Sequence, residues 1–114
     1  MTRLERLGAT LEQPLLVTSA TNLRWLTGMA SSNAALLVEP GGEATLYTDF
    51  RYAQKAAKVT GARFQETARA IVGDLASILS GRSILVEGSV LTVDALETLR
   101  AGGVDATPRS GLVE

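Results

Sequence analysis

A chain of 114 residues and 12.0 kDa, 46% hydrophobic and 20% charged, can bury roughly two-thirds of its unfolded surface and hold one ordinary core without disulfides or metal. Lys+Arg 11 against Asp+Glu 12 and a pI of about 5.5 leave no basic field for nucleic acid. With neither cysteine nor histidine, disulfides, thiol nucleophiles, thiolate metal sites and any Ser-His or Cys-His pair are excluded, and a zinc site would have to be built from carboxylates alone.

Leu4, Leu7 and Leu11 recur at spacings of three and four, so residues 2–13 are expected as a short amphipathic helix running into Pro14. Leu15, Leu16 and Val17 form a buried strand. Thr21 and Asn22 are expected to cap a short helix carrying Leu23, Trp25 and Leu26, ended by a left-handed Gly28, before a loop of small residues from Met29 to Asn33. The apolar runs 35–38 and 45–47 flank Pro40, Gly41, Gly42 and Glu43, which makes an antiparallel hairpin. Asp49 is expected as the N-cap of a helix reaching about Val59 and stopped by Gly61, followed by a short strand over 63–66.

Ile71, Leu75, Ile78 and Leu79 make the clearest helical stripe, closed by Gly81, and Ile84, Leu85 and Val86 form another buried strand. Thr92 caps a helix with Val93, Leu96 and Leu99 inward, ending at Gly102 and Gly103, and residues 104–107 give a last strand. Strands apolar on successive residues must be covered on both faces, which predicts an α/β three-layer sandwich around a mixed sheet. Pro108, Arg109, Ser110 and the terminal 111–114 read as the opening of a further element, so the chain is expected to be a piece of something longer. The first six residues lack the apolar core of a signal peptide and no later run reaches membrane-spanning length, pointing to a cytoplasmic chain.

The glycines at 41 and 42 sit in a hairpin turn, and nothing matches a phosphate-binding loop between strand and helix. The acids are scattered, with no spacing that gathers three or four on one metal, and the first strand lacks the paired acids of a phosphoacceptor receiver domain. Two segments are denser. In Asn22-Leu23-Arg24-Trp25-Leu26-Thr27-Gly28 the single tryptophan reads first as a buried anchor of core or interface. In Thr48-Asp49-Phe50-Arg51-Tyr52 the plain reading is a cap and an exposed arginine; the sharper one is a guanidinium at a strand-to-helix junction, set to clamp a carboxylate with two parallel hydrogen bonds.

Those two motifs, with the 35–38 run between them and Ala53 to Ala57 after them, resemble the N-terminal domain of the creatinase/prolidase/aminopeptidase P family. Ser83 to Gly88 and residues 111–114 look like that domain's later strand and its exit into a linker helix, so the likeness spans nearly the whole chain. A tryptophan at 25 stands where tyrosine is commoner in the family. The resemblance implies a ribonuclease-H-like sandwich with about six strands, forming one domain over 1–114. In the family a C-terminal pita-bread domain, expected outside this chain, holds two divalent metal ions (manganese, cobalt or zinc) and cleaves short proline-containing peptides at Xaa-Pro bonds.

By the same resemblance this chain is non-catalytic and holds no metal. It contributes to a homodimer and walls the active-site mouth, with Arg51 touching substrate, Asp49 and Tyr52 structural as cap and packing anchor, Asn22 and Gly28 motif positions, and Trp25 near an interface. Nucleic acid and membrane are not expected partners. The alternative is a free-standing interaction or small-ligand module that has the fold and no peptidase activity, because fold alone does not transmit function.

Overall fold

The computed structural model of the chain describes residues 2–31 and 33–113; Met1, Ser32 of the expected loop and Glu114 of the expected exit segment lie outside the described residues. In chain order the elements are α1 (Arg3–Thr10), β1 (Leu15–Val17), α2 (Ala20–Thr27), β2 (Ala34–Val38), β3 (Ala44–Thr48), a single 3-10 turn (Phe50–Tyr52), α3 (Ala53–Ala57), β4 (Arg63–Glu66), α4 (Ile71–Ile78), β5 (Ser83–Glu87), α5 (Val93–Ala101) and β6 (Asp105–Arg109). The six strands form one sheet in the order β4-β3-β2-β1-β5-β6. Only β2 is reversed: it runs antiparallel to both β1 and β3, whereas β3–β4, β1–β5 and β5–β6 are parallel. This is the expected mixed α/β sheet with its hairpin.

Alternate residues of the buried strands feed two cores, as a sheet covered on both faces requires. On one face Leu15, Val17, Leu36, Val38 and Leu46 pack under α1, α2 and α3 through Leu4, Leu7, Leu23, Leu26 and Ala56. On the other, Leu16, Leu37, Tyr47, Ile84 and Val86 pack under α4 and α5 through Leu75, Leu79 and Leu99. The three layers of the sandwich are therefore α1–α3, sheet, and α4–α5. Gly8 lets α1 rest directly on the hairpin turn, because a Cβ there would lie 2.2 Å from the backbone nitrogen of Gly42.

Several elements differ from the sequence expectation. α1 stops at Thr10, since Leu11 turns extended (φ −91°, ψ 136°) while remaining in the core. The cap of α2 is Ser19, whose Oγ accepts from Asn22 N at 3.2 Å, rather than Thr21 or Asn22. The helix after Asp49 is a 3-10 turn broken at Tyr52 (φ −109°, ψ 5°), and α3 proper ends at Ala57, short of Val59. Ile78 and Val93 face outward, at 39% and 70% exposure. Helix geometry explains Val93: three-residue steps drift by about 60° each, so it cannot share a face with Leu99. Ile78 lies at the border of the stripe formed by Ile71, Leu75, Ala76 and Leu79, in the last turn of α4. Finally, Pro108 and Arg109 belong to β6, opposite Val86 and Glu87, rather than opening a new element; proline is tolerated there because β6 is an edge strand.

Candidate functional site

Because every strand but β2 points the same way, the carboxyl ends of β1, β3, β4 and β5 gather with the start of β2 at one edge of the sheet. In open α/β sheets this is the edge where ligands are held. Two of the chain's buried acids stand there, Asp49 just past β3 and Glu87 at the end of β5, at 0% and 7% exposure.

Asp49 turns the chain from β3 into the 3-10 turn. Its Oδ1 accepts from the Arg51 backbone N–H at 2.9 Å, which is the capping bond, and from Arg51 Nε at 2.9 Å; its Oδ2 accepts from Arg51 Nη2 at 2.8 Å. Asn33, at the start of β2, donates from Nδ2 to Asp49 Oδ2 at 2.6 Å and to the Arg69 carbonyl at 2.9 Å. Thr48 Oγ1 in turn donates to the Asn33 carbonyl at 2.6 Å. The hydrogen bonds from the Arg51 side chain, helped by the one from Asn33, hold the Asp49 carboxyl well below the usual carboxylate range, against the opposing effect of burial. Asp49 in turn raises the Arg51 pKa.

The arginine is thus neither a loose surface cation nor an unengaged clamp. Its side-on edge, Nε and Nη2, is spent on an internal carboxylate, and its Cζ lies 5.4 Å from the centroid of the Tyr52 ring. A guanidinium has five N–H groups in a planar fork, so the Nη1–Nη2 edge is uncommitted among the described residues, on a side chain 40% exposed. The arrangement fixes the plane of that edge before any ligand arrives. It can accept a second, external carboxylate with two parallel hydrogen bonds.

Glu87 is built differently. Its Oε1 accepts from the backbone N–H groups of Thr18 and Ser19 at the start of α2, the latter at 2.8 Å, and its Oε2 accepts from Asn22 Nδ2 at 2.6 Å. β1 leads to α2 on one face of the sheet while the neighbouring parallel β5 leads to α5 on the other, so this is the switch point of the topology. A carboxylate of the chain itself occupies the place where such folds take an external anion, at a helix N-terminus. The role of Asn22 follows: it closes this lock and caps nothing. Glu87 was visible in sequence only as the end of a strand, because its partners lie 65 to 69 positions away.

The remaining motif residues sit apart from this edge chemistry. Gly28 ends α2 at φ 77°, donating its N–H to the Arg24 carbonyl at 2.8 Å. Trp25 is 48% exposed, so of the two readings, anchor of the core or of an interface, burial in the chain's own core is set aside; Arg3 lies over its ring at 4.4 Å and donates to its carbonyl at 2.7 Å. Tyr52 is half-buried beneath Arg51. Among the described residues no three acids gather closely enough to hold a metal, and both edge carboxylates are taken by donors, so the divalent pair that the resemblance implies does not fit these side chains. Among the described residues no helix is long and apolar enough to cross a membrane.

The architecture is shared with solved structures. The chain superposes on the N-terminal domain of the cytoplasmic peptidase PepQ from Mycobacterium tuberculosis with a TM-score of 0.83 at 30% identity, covering 97% of this chain and 95% of that one. A Streptococcus pyogenes Xaa-Pro aminopeptidase gives a TM-score of 0.82 at 26% identity, with 97% and 92% covered. An Xaa-Pro dipeptidase from Bacillus anthracis shares the fold with a TM-score of 0.86 at 23% identity; this chain, 98% covered, spans 34% of it. No curated protein sequence matches the chain. The sequence model of the creatinase/prolidase N-terminal domain matches residues 3–114, and the chain, with its mixed sheet and its two strand-end carboxylates, belongs to that family.

Proposed function

We propose that this chain is the non-catalytic N-terminal domain of a metal-dependent Xaa-Pro peptidase of aminopeptidase P or prolidase type, and that Arg51 positions the substrate at the active-site mouth. The observation that carries the reading is the Asp49-bound guanidinium, with one edge fixed internally and the other uncommitted at the carboxyl edge of the sheet. Membership of the creatinase/prolidase N-terminal family supports it, as does the likeness to domains from named peptidases.

In this reading the substrates are short proline-containing peptides. Arg51 clamps the terminal carboxylate of such a peptide, which fixes how far the scissile bond lies from the clamp and so selects short substrates. Asp49 and Asn33 keep the guanidinium from swinging, so little rotamer entropy is lost on binding. Hydrolysis belongs to a following C-terminal catalytic domain with two divalent metal ions, which would activate water there. The protein works in the cytoplasm as a homodimer, and the half-exposed Trp25 with its Arg3 cover is the surface offered for pairing.

The test reads the coding sequence past Glu114, expresses what it encodes, and assays cleavage of Xaa-Pro dipeptides and tripeptides with added manganese. Cleavage by that product, none by the 114 residues alone, and a loss of about tenfold or more in kcat/KM on Arg51→Ala are expected, the size of a charged hydrogen-bond pair. A reading frame without metal-ligand motifs would overturn the reading and leave the free-standing module in its place, and an Arg51→Ala enzyme with unchanged kinetics would overturn the positioning role of Arg51.

A further inference from the structure

The amino ends of β3, β4 and β5 lie at the opposite edge of the sheet from Arg51. The strand register there sets Leu37, Thr45 and Arg63 in one row and Ala35, Tyr47 and Gln65 in the next. Leu37 and Tyr47 belong to the core under α4 and α5, so both rows face that side of the sheet. The helical cover stops short of β4, whose Arg63 and Gln65 are exposed. This leaves a groove of about 400 Å³ bounded by Glu39, Thr45, Tyr47, Arg63, Gln65 and Arg82, a volume in the range of small-molecule sites. Two guanidiniums enter it from its two sides, with β3 as the floor between them. Arg63 rises from β4 and makes no hydrogen bond or ion pair among the described residues. Arg82, between α4 and β5, donates from Nη2 to Glu39 Oε1 at 2.8 Å just past the end of β2, which fixes its plane and leaves Nε and Nη1 uncommitted among the described residues. Both charges reach the Tyr47 hydroxyl, which also meets the Thr45 side chain; burial pushes this phenol up, so it keeps its proton to donate. Against the two cations the groove sets one carboxylate, Glu39, already paired.

We propose that this groove binds a small phosphate monoester, its phosphoryl group held between Arg63 and Arg82 with the Tyr47 hydroxyl beneath it. The choice of anion follows from the two-sided approach. A planar carboxylate is filled by one guanidinium fork, whereas a tetrahedral phosphoryl group offers three oxygens in different directions, and a second charge, so it can engage both arginines at once. The rest of the ligand lies along Thr45 and Gln65, whose neutral polar groups suit a hydroxyl-bearing body. The site is independent of the role proposed for Arg51.

The test titrates the 114-residue chain with glycerol 3-phosphate, inorganic phosphate, acetate and glycerol at constant ionic strength, following backbone amide and arginine Nε–H resonances by NMR. Both phosphates should shift Thr45, Tyr47, Gln65 and the Nε–H groups of Arg63 and Arg82, with acetate about fivefold or more weaker and glycerol without effect. Arg63→Gln, a change at an exposed side chain, should weaken both phosphates by about tenfold or more, the size of a hydrogen bond to a charged group. Arg24→Gln removes the same charge from the exposed side of α2 and should leave the affinity as it was. Shifts that follow arginines over the whole surface, acetate binding as tightly as phosphate, or an affinity untouched by Arg63→Gln would overturn the proposal. So would uptake of inorganic phosphate without glycerol 3-phosphate, the mark of an adventitious ion only.

Discussion

Glu87 and Asp49 each end a strand at the same edge of one sheet, and each is withdrawn from solvent, yet their partners differ in kind. Glu87 spends both oxygens on groups that go nowhere else: two backbone N–H groups opening α2 and the amide of Asn22. Asp49 spends both of its own on a side chain that retains a second edge and is 40% exposed. The first carboxylate closes the switch point of the fold from within. The second carries a cation outward and fixes its plane. A buried acid can thus be closed off within the fold or can anchor an exposed cation, and depth of burial does not separate the two cases.

Substitutions should sharpen that contrast. The largest effect is expected for Glu87→Ala, which leaves two helix-opening N–H groups and an amide without their acceptor and should cost about 3 kcal/mol in urea unfolding, since hydrogen bonds to a charged group are the strong ones. Asn22→Ala removes one of those donors and should cost about 1–2 kcal/mol by the same measurement. If both variants unfold at the parent's midpoint, Glu87 is no lock.

Acid titration should separate Asp49 from its neutral analogue. Its folded pKa is depressed, so its stabilising contribution is fully present above about pH 4 and is lost as pH falls from there through the folded value. The stability gap between the parent chain and Asp49→Asn should therefore be constant near neutral pH and close only in strong acid. A gap that grows on acidification would contradict the assignment.

Arg51→Ala should cost about 1–2 kcal/mol at neutral pH, because the buried Asp49 carboxylate loses the two side-chain donors that hold its pKa down while keeping its bonds to Asn33 and the backbone. The smallest effect on stability is expected for Arg3→Ala, which should nevertheless shift the emission of the single tryptophan, whose ring it covers.

Much of this architecture follows from local signals. The strands are apolar runs between turn residues, and the cap at Asp49 and the left-handed Gly28 are set by residues next to them in sequence. The departures from local expectation have separate physical causes. Asn22 sits where a cap is expected, but its amide is drawn to Glu87 from the far end of β5, and Ser19 caps α2 instead. Val93 is apolar and close to helical spacing, yet angular drift carries it to solvent. Trp25 is the type of residue that cores bury, and only the packing of α1 across α2 through Arg3 shows that it stays half outside. At the candidate site the sequence marks Arg51 and Asp49 as neighbours. It carries no sign that Asn33 holds Asp49 in place from another strand.

The proposed role of Arg51, presenting its second edge to a substrate carboxylate, is tested directly by one comparison. In the protein encoded by the full reading frame, kcat/KM is measured for a short Xaa-Pro peptide with a free carboxyl terminus and for its C-terminal amide, in the parent and in Arg51→Ala. The parent should favour the free acid by about tenfold or more, and Arg51→Ala should lose that preference while remaining folded at the assay temperature. An undiminished preference for the free acid in Arg51→Ala would contradict the claim.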